Sequence, residues 1–258
     1  MTDVCILTGA GSGIGRAIAA RLAGLGVRLV LVGRRESNER TLAALGPCPA
    51  GAELFELDLE EYAGGFGGLA EKVREIGPSR LGVVLAASRL DDPTATSPVD
   101  RLRDHERVFR TNVVGNLAVL EACLPSMISA RFGRVLLFAG GGAANAFPLF
   151  PAYGLSKTST VRMVENLAEA HPPSTGISFV CLAPGAVDTP MLAQVLAAGA
   201  KVRTRTAVDE AVGFVEAYLK SDSLALNGKY IHVRDDWAKY LSGGQTPEPG
   251  RFLLRRTE

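Results

Sequence analysis

Side chains that bind metals or carry redox chemistry are scarce here: three histidines and four cysteines in 258 residues. There is no CxxC pair and no His/Cys ligand spacing, so no metal centre is expected. Cys5, Cys123 and Cys181 stand among apolar residues and Cys48 in a "GPCPAG" turn, which predicts reduced thiols acting as small hydrophobes. An excess of one charge is also missing. Lys+Arg number 28 against 27 Asp+Glu, a net charge of +1, which gives no reason to expect nucleic acid or a membrane as partner. The opening "MTDVCILTGAG" lacks a basic stretch ahead of an apolar one, and no uninterrupted apolar run is of membrane-spanning length. A cytoplasmic location is expected. The last absence is local: between Ser129 and Ser156 there is no serine or threonine.

What is present is apolar sequence, 47% of the chain, enough for one large domain over 1–258 with no linker or internal repeat. Runs rich in Val, Ile and Leu at 4–9, 27–33, 52–58, 81–87, 134–140, 177–185 and 229–234 predict strands. Continuous apolar strands are buried on both faces, which means a parallel sheet covered by helices on each side. Ile14, Ile18, Leu22 and Leu25 stripe a helix that ends at Gly26, and 104–130, 153–170 and 207–220 also have helical period. The expected fold is therefore a doubly wound α/β sheet of seven parallel strands, a Rossmann fold. The "GGFGG" patch at 64–68 reads as a loop or helix start, and 241–258 as a tail that either crosses a subunit interface or frays.

"TGAGSGIG" (Thr8, Gly9, Ser12, Gly13, Ile14, Gly15) follows the first strand and opens the first helix. There, glycines let the backbone approach a pyrophosphate, which rests on the unpaired N–H groups of the helix N-terminus. The spacing Gly9-xxx-Gly13-x-Gly15 resembles that of the short-chain dehydrogenase/reductase family. Three further segments match that family in the same order: "TNVVG" around Asn112, Tyr153-xxx-Lys157, and "PGAVDT" containing Pro184, Gly185, Val187 and Thr189. The resemblance runs from about Val4 to Val233.

The end of the second strand selects the cofactor. An acid there would bind both ribose hydroxyls of NAD. Here Gly33 is followed by Arg34 and Arg35, whose guanidinium groups suit the 2′-phosphate of NADP(H). The resemblance places Asp58 and Leu59 at the adenine, although Asp58 could equally cap a turn. It places the main chain of Ala86 and Ala87 beside the adenosine, and Pro184 to Thr189 over the nicotinamide.

For the chemistry, reduction of a carbonyl needs a proton donor. Tyr153 supplies a phenol, and Lys157 one turn along favours the phenolate and brings its pKa toward the working range. The family resemblance adds that Lys157 holds the nicotinamide ribose and that Asn112 anchors a water in a proton relay. Two departures stand out. The family's NNAG segment becomes Leu85-Ala86-Ala87-Ser88, removing amides that brace the sheet. Its serine, thirteen residues before the tyrosine, becomes Gly140. One oriented donor of that kind is worth about 2.7–4 kcal/mol, against about 8–23 kcal/mol for catalysis as a whole. Backbone N–H groups of Gly140 and Gly141, or Asn145, are the expected substitutes, and the glycines leave room for a bulkier substrate.

The segment 188–206 occupies the place of the substrate loop. Met191 and its apolar neighbours would cover a hydrophobic substrate, and Lys201, Arg203 and Arg205 either meet an anionic group or form a solvated basic face. The expected activity is NADP(H)-dependent reduction of a carbonyl or related C=X group of a small molecule. An isomerase, dehydratase or imine reductase on the same fold, and a nucleotide-binding protein without turnover, are the alternatives. A homodimer or homotetramer is expected through the apolar faces of helices 104–130 ("NLAVLEACL") and 153–170 ("TVRMVENLA").

Overall fold

The structure, a computed structural model, describes residues 2–46, 48–202 and 205–255. Seven parallel strands form one sheet: β1 (Val4–Thr8), β2 (Arg28–Gly33), β3 (Ala52–Glu56), β4 (Leu81–Leu85), β5 (Gly133–Phe138), β6 (Ile177–Ala183) and, after a two-residue pair β7 (Ala186–Val187) and β8 (Arg205–Thr206), the edge strand β9 (Lys229–His232). Their order is β3-β2-β1-β4-β5-β6-β9. Strand order reverses between β1 and β4, and a crevice at the carboxyl ends of the strands opens at such a reversal.

The unbroken apolar runs are explained by alternation across two covered faces. In β1, Val4 and Ile6 join the core formed with α3 (Phe66–Ile76), α5 (Asn116–Ala130) and α6 (Pro151–Ala170). Cys5 and Leu7 join the opposite core, with α1 (Gly13–Gly24) and α8 (Val208–Lys220). Helix α1 ends as expected at Gly26, which takes φ +73°. The helices α2 (Arg35–Ala44), α7 (Pro190–Ala197) and α9 (Ala238–Leu241) complete the set with α4 (Pro98–Phe109).

The helix expected over 104–130 begins earlier, at Pro98, where the Ser97 hydroxyl accepts the Asp100 N–H. A π-helical turn, Arg110–Gly115, joins α4 to α5. By length and composition the rod passes as a membrane span, although Asn112, Asn116 and Glu121 interrupt it, so the expected lack of an uninterrupted apolar run of that length holds. Its apolarity serves the core instead: Val119, Leu120, Cys123, Leu124 and Met127 are buried beneath the sheet. The same burial corrects the expected interface, because "NLAVLEACL" and, in α6, Val161 and Val164 face the chain's own core. The apolar side chains left outside are others, among them Val99, Leu102 and Leu155, each more than half exposed.

The tail does not fray over its described length. The Tyr230 N–H of β9 donates to Phe252 O, the Phe252 ring meets Tyr240 edge-on, and Arg255 pairs with Glu165 at 2.7 Å. The lost NNAG amides are also replaced. Asn116 accepts the Thr8 hydroxyl at 2.8 Å and donates to Ala87 O at 2.9 Å, while the Ala87 N–H donates to Thr8 Oγ1. An amide from α5 thus ties β1 to β4, so the expected loss of bracing does not occur. Sequence reading missed Asn116; its signal was a second polar residue one turn after Asn112 in an otherwise apolar helix.

Candidate active site

A cleft of about 1700 Å³ runs along the carboxyl ends of the strands, larger than one small molecule requires. Its nucleotide end is built by close approach. Gly9 has φ +71°, and a Cβ there would lie 2.6 Å from Ala87 N; a Cβ at Gly15 would collide with Gly9 O. Across the cleft, Gly13 faces Thr189, whose methyl would sit 3.1 Å from an added Cβ. Helix α1 has no acid in its first turn, and Ser12 makes no side-chain cap, which leaves its N-terminal N–H groups to an anion.

At the end of β2, Arg34 lines the cleft and has no ion-pair partner among the described residues. Arg35 does not line it. As the first residue of α2 it turns outward to Glu39 (3.1 Å) and Glu56 (2.9 Å), so its expected place at the cofactor is corrected. The polar wall beside Arg34 is made instead by Arg16, Ser37, Asn38 and Arg40. Gly33 is small because the Asn38 amide nitrogen would lie 2.8 Å from a Cβ there, and that buried nitrogen has no protein partner. Asp58 and Leu59 line the cleft, and Asp58 also caps a turn by accepting the Glu60 N–H at 2.9 Å. Ala86, Ala87, Ile14, Pro184, Gly185 and Val187 line the cleft as well. Thr8 lies behind it, fully buried and bonded to Asn116. A cradle of glycines, unpaired helix N–H groups and an orphaned buried amide fits a nicotinamide dinucleotide.

At the chemical end, Tyr153 and Lys157 lie one turn apart on α6, both buried and both lining the cleft. The Tyr153 hydroxyl has no hydrogen-bond partner among the described residues. The Lys157 ammonium donates to Phe138 O at 3.0 Å and sits 5.4 Å from the centre of the tyrosine ring. Burial pushes the phenol up to about 12 and the lysine down to about 8. The phenol's own burial sets this direction, opposite to the lowering expected from the lysine.

Gly140 holds the answer to the missing serine. A Cβ there would overlap the Tyr153 hydroxyl and lie 3.1 Å from the ring carbon that bears it. The expected room for substrate at Gly140 is therefore taken by the tyrosine; at Gly141 an added Cβ meets open space. Gly142, at φ +152°, passes so near α6 that a Cβ would lie 2.5 Å from Gly154 Cα. Asn145 and Met191 line the substrate end. There Leu90, Phe150, Tyr153 and Val195 form a buried apolar cluster, packed by Phe147 and Met191. The described part of the 188–206 segment holds regular structure: Thr189 caps α7, and β7 pairs with β8. Lys201 lines the cleft, Arg205 is exposed outside it, and Arg203 lies outside the described residues.

Asn112 does not reach the cleft. Its oxygen accepts the Arg89 N–H (2.8 Å), and its nitrogen donates to Arg89 O (3.0 Å) and to Ser156 Oγ (2.9 Å). Both its N–H groups and one acceptor position of its oxygen go into joining the π turn to the loop after β4 and to α6. Ser88, in that loop, lines the cleft and buries a hydroxyl with no partner.

Sheet order, glycine turn and cleft define a dinucleotide-binding protein of Rossmann type. Residues 3–200 match the short chain dehydrogenase family model. The chain is 28% identical over 188 residues to an uncharacterised oxidoreductase of Staphylococcus epidermidis, covering 73% of this chain and 79% of the relative. It is 30% identical over 195 residues to sulfoacetaldehyde reductase 2 of Chromohalobacter salexigens, covering 73% and 74%. Among solved structures it resembles actinorhodin polyketide ketoreductase with NADPH, at TM-score 0.75 and 23% identity over 93% of this chain and 98% of that one. It also resembles an NAD+-bound xylitol dehydrogenase, at TM-score 0.74 and 25% identity over 89% and 96%. The protein belongs to the short-chain dehydrogenase/reductase family and is an oxidoreductase of that family.

Proposed function

We propose that the protein uses NADP(H) to reduce a carbonyl group on a small, largely apolar molecule, with Tyr153 as proton donor. The observation that carries this is the unpartnered Tyr153 hydroxyl at the cleft wall, one helical turn from a buried lysine. Bound NADP(H) supplies the hydride. The chain's own residues do the rest. The first turn of α1 receives the pyrophosphate, Arg34 with Ser37, Asn38 and Arg40 receives the 2′-phosphate, and Thr189 closes the opposite side. Lys157 holds the ribose from below and stabilises negative charge as the phenol gives up its proton. Leu90, Phe147, Phe150, Met191 and Val195 exclude water from the reacting carbonyl and favour an apolar substrate over a charged one. In place of a serine after β5, the backbone N–H groups of Gly140 and Gly141, which line the cleft, would orient the substrate oxygen.

Turnover of a panel of ketones, quinones and imines with NADPH tests the proposal. Tyr153→Phe is expected to cost at least about a hundredfold in kcat with NADPH still bound. A Tyr153→Phe protein as active as the parent sinks it, and a protein that binds NADPH without any turnover is a binding protein instead.

A further inference from the structure

Asp91, in the segment leaving β4 for α4, is 6% exposed. Its two carboxylate oxygens accept the N–H groups of Ala152 and Tyr153, each at 2.7 Å. These are orphan donors of the first turn of α6; Pro151, ahead of them, has none, and Phe150 at the N-cap offers no side-chain acceptor. A carboxylate sixty residues upstream therefore caps the helix that carries Tyr153. The helix N-terminus and two charge-assisted bonds offset its burial, and the His105 ring of α4 lies 3.7 Å from one of its oxygens.

The same segment reaches the nucleotide end. Ala86 and Ala87 meet Gly9, Asn112 holds both the N–H and the C=O of Arg89, and Leu90 packs in one cluster with the Tyr153 ring. On the far side of the helix turn, Asn112 donates to Ser156 Oγ, which donates to Tyr153 O. Residues 87–91 thus form a strut from the glycine turn to the backbone of Tyr153. With glycine at 140, just past β5, no polar group among the described residues holds the outer end of the ring.

We infer that Asp91 is the positioning residue for Tyr153, fixing from the backbone side where the phenol hydroxyl stands in the cleft. This rests on the reading of Tyr153 as proton donor. Asp91→Asn keeps the shape but sets an NH2 group against one of the two N–H donors, and Asp91→Ala removes both acceptors. With NADPH and the best substrate of the carbonyl panel, kcat is expected to fall roughly 10- to 100-fold in both, as for a misplaced reacting group. The NADPH Kd stays within about twofold, because only a transition-state interaction is lost. Asp92→Asn, at the exposed neighbour bonded to Thr94, leaves kcat unchanged.

An Asp91→Asn protein with unaltered kcat, or one that loses NADPH affinity as much as kcat, overturns the inference. A second measurement does not depend on turnover. In protein labelled with 13C at tyrosine Cζ, the Tyr153 signal is the one missing from Tyr153→Phe. Asp91→Asn is expected to shift that signal and leave the other tyrosines in place. A Tyr153 signal that stays put, or a shift of all tyrosines alike, overturns the inference. An inactive parent protein sinks only the proposed function.

Discussion

At Gly140 a single added carbon decides whether Tyr153 can stand where it does. Gly140→Ser is expected to lower kcat rather than raise it, because the new Cβ displaces the phenol hydroxyl; a crystal structure of the variant with Tyr153 unmoved, or a gain in kcat, contradicts this. The buried pair also marks the pH dependence of stability. Lys157 titrates near 8 in the folded chain, below its ordinary 10.5, so its stabilising contribution is present above 10.5 and is lost as pH falls through 8. Tyr153 is raised from 10 to about 12, so its contribution is present below 10 and lost as pH rises through 12. In urea unfolding, Lys157→Met is expected to gain on the parent by on the order of 2–3 kcal/mol at pH 7, and the advantage shrinks toward pH 10. An advantage that does not change with pH would mean that Lys157 titrates normally.

The elements show which side chains their ends can deliver. Where β2 runs into α2, Arg34 precedes the helix and lines the cleft, whereas Arg35, one residue on, is carried to the outer surface by the first helical turn. Arg34→Ala is expected to reduce a preference for NADPH over NADH of at least about tenfold, worth about 1.4 kcal/mol, and Arg35→Ala to leave it intact. Fluorescence titration of both cofactors distinguishes them. Asn116→Ala is expected to cost about 2–3 kcal/mol in urea unfolding, since it strips buried partners from Thr8 and Ala87. These cases explain what was legible in the sequence. The strands were, because burial on both faces writes continuous apolar runs such as "VRLVLVG" and "ISFVCLAPG". The glycine turn and the Tyr153/Lys157 pair were, because each is a short local stretch at a fixed spacing. Asp91 and Asn116 were not, because each acts on an element far along the chain, and nothing local in "RLDDPT" or "NLAVLEACL" says which backbone group it meets. Gly140 was legible as an absence, but its cause, the tyrosine hydroxyl, is a tertiary contact.

For the whole molecule, the apolar side chains left outside suggest how copies meet. Val99 and Leu102 on α4 and Leu155 on α6 are 55%, 68% and 61% exposed, and the two helices are neighbours. We propose a homo-oligomer with two-fold symmetry through that face. Leu102→Glu together with Leu155→Glu is expected to give a monomer by light scattering at micromolar concentration. A parent protein that is already monomeric at that concentration refutes the proposal.

The strap formed by the tail has a bearing on assembly of another kind. A sheet with open margins can recruit strands from other molecules and grow without limit. Here one margin, β9, gives its Tyr230 N–H to Phe252 of the same chain. The other margin, β3, carries Glu53 and Glu56, tied to Arg28, Lys72 and Arg35. Charge on one margin and the strap on the other both disfavour strand-by-strand growth. Cutting the chain before Phe252 is expected to unlock the β9 margin and turn a finite complex into fibrillar aggregate, visible as thioflavin fluorescence that the full-length protein does not develop.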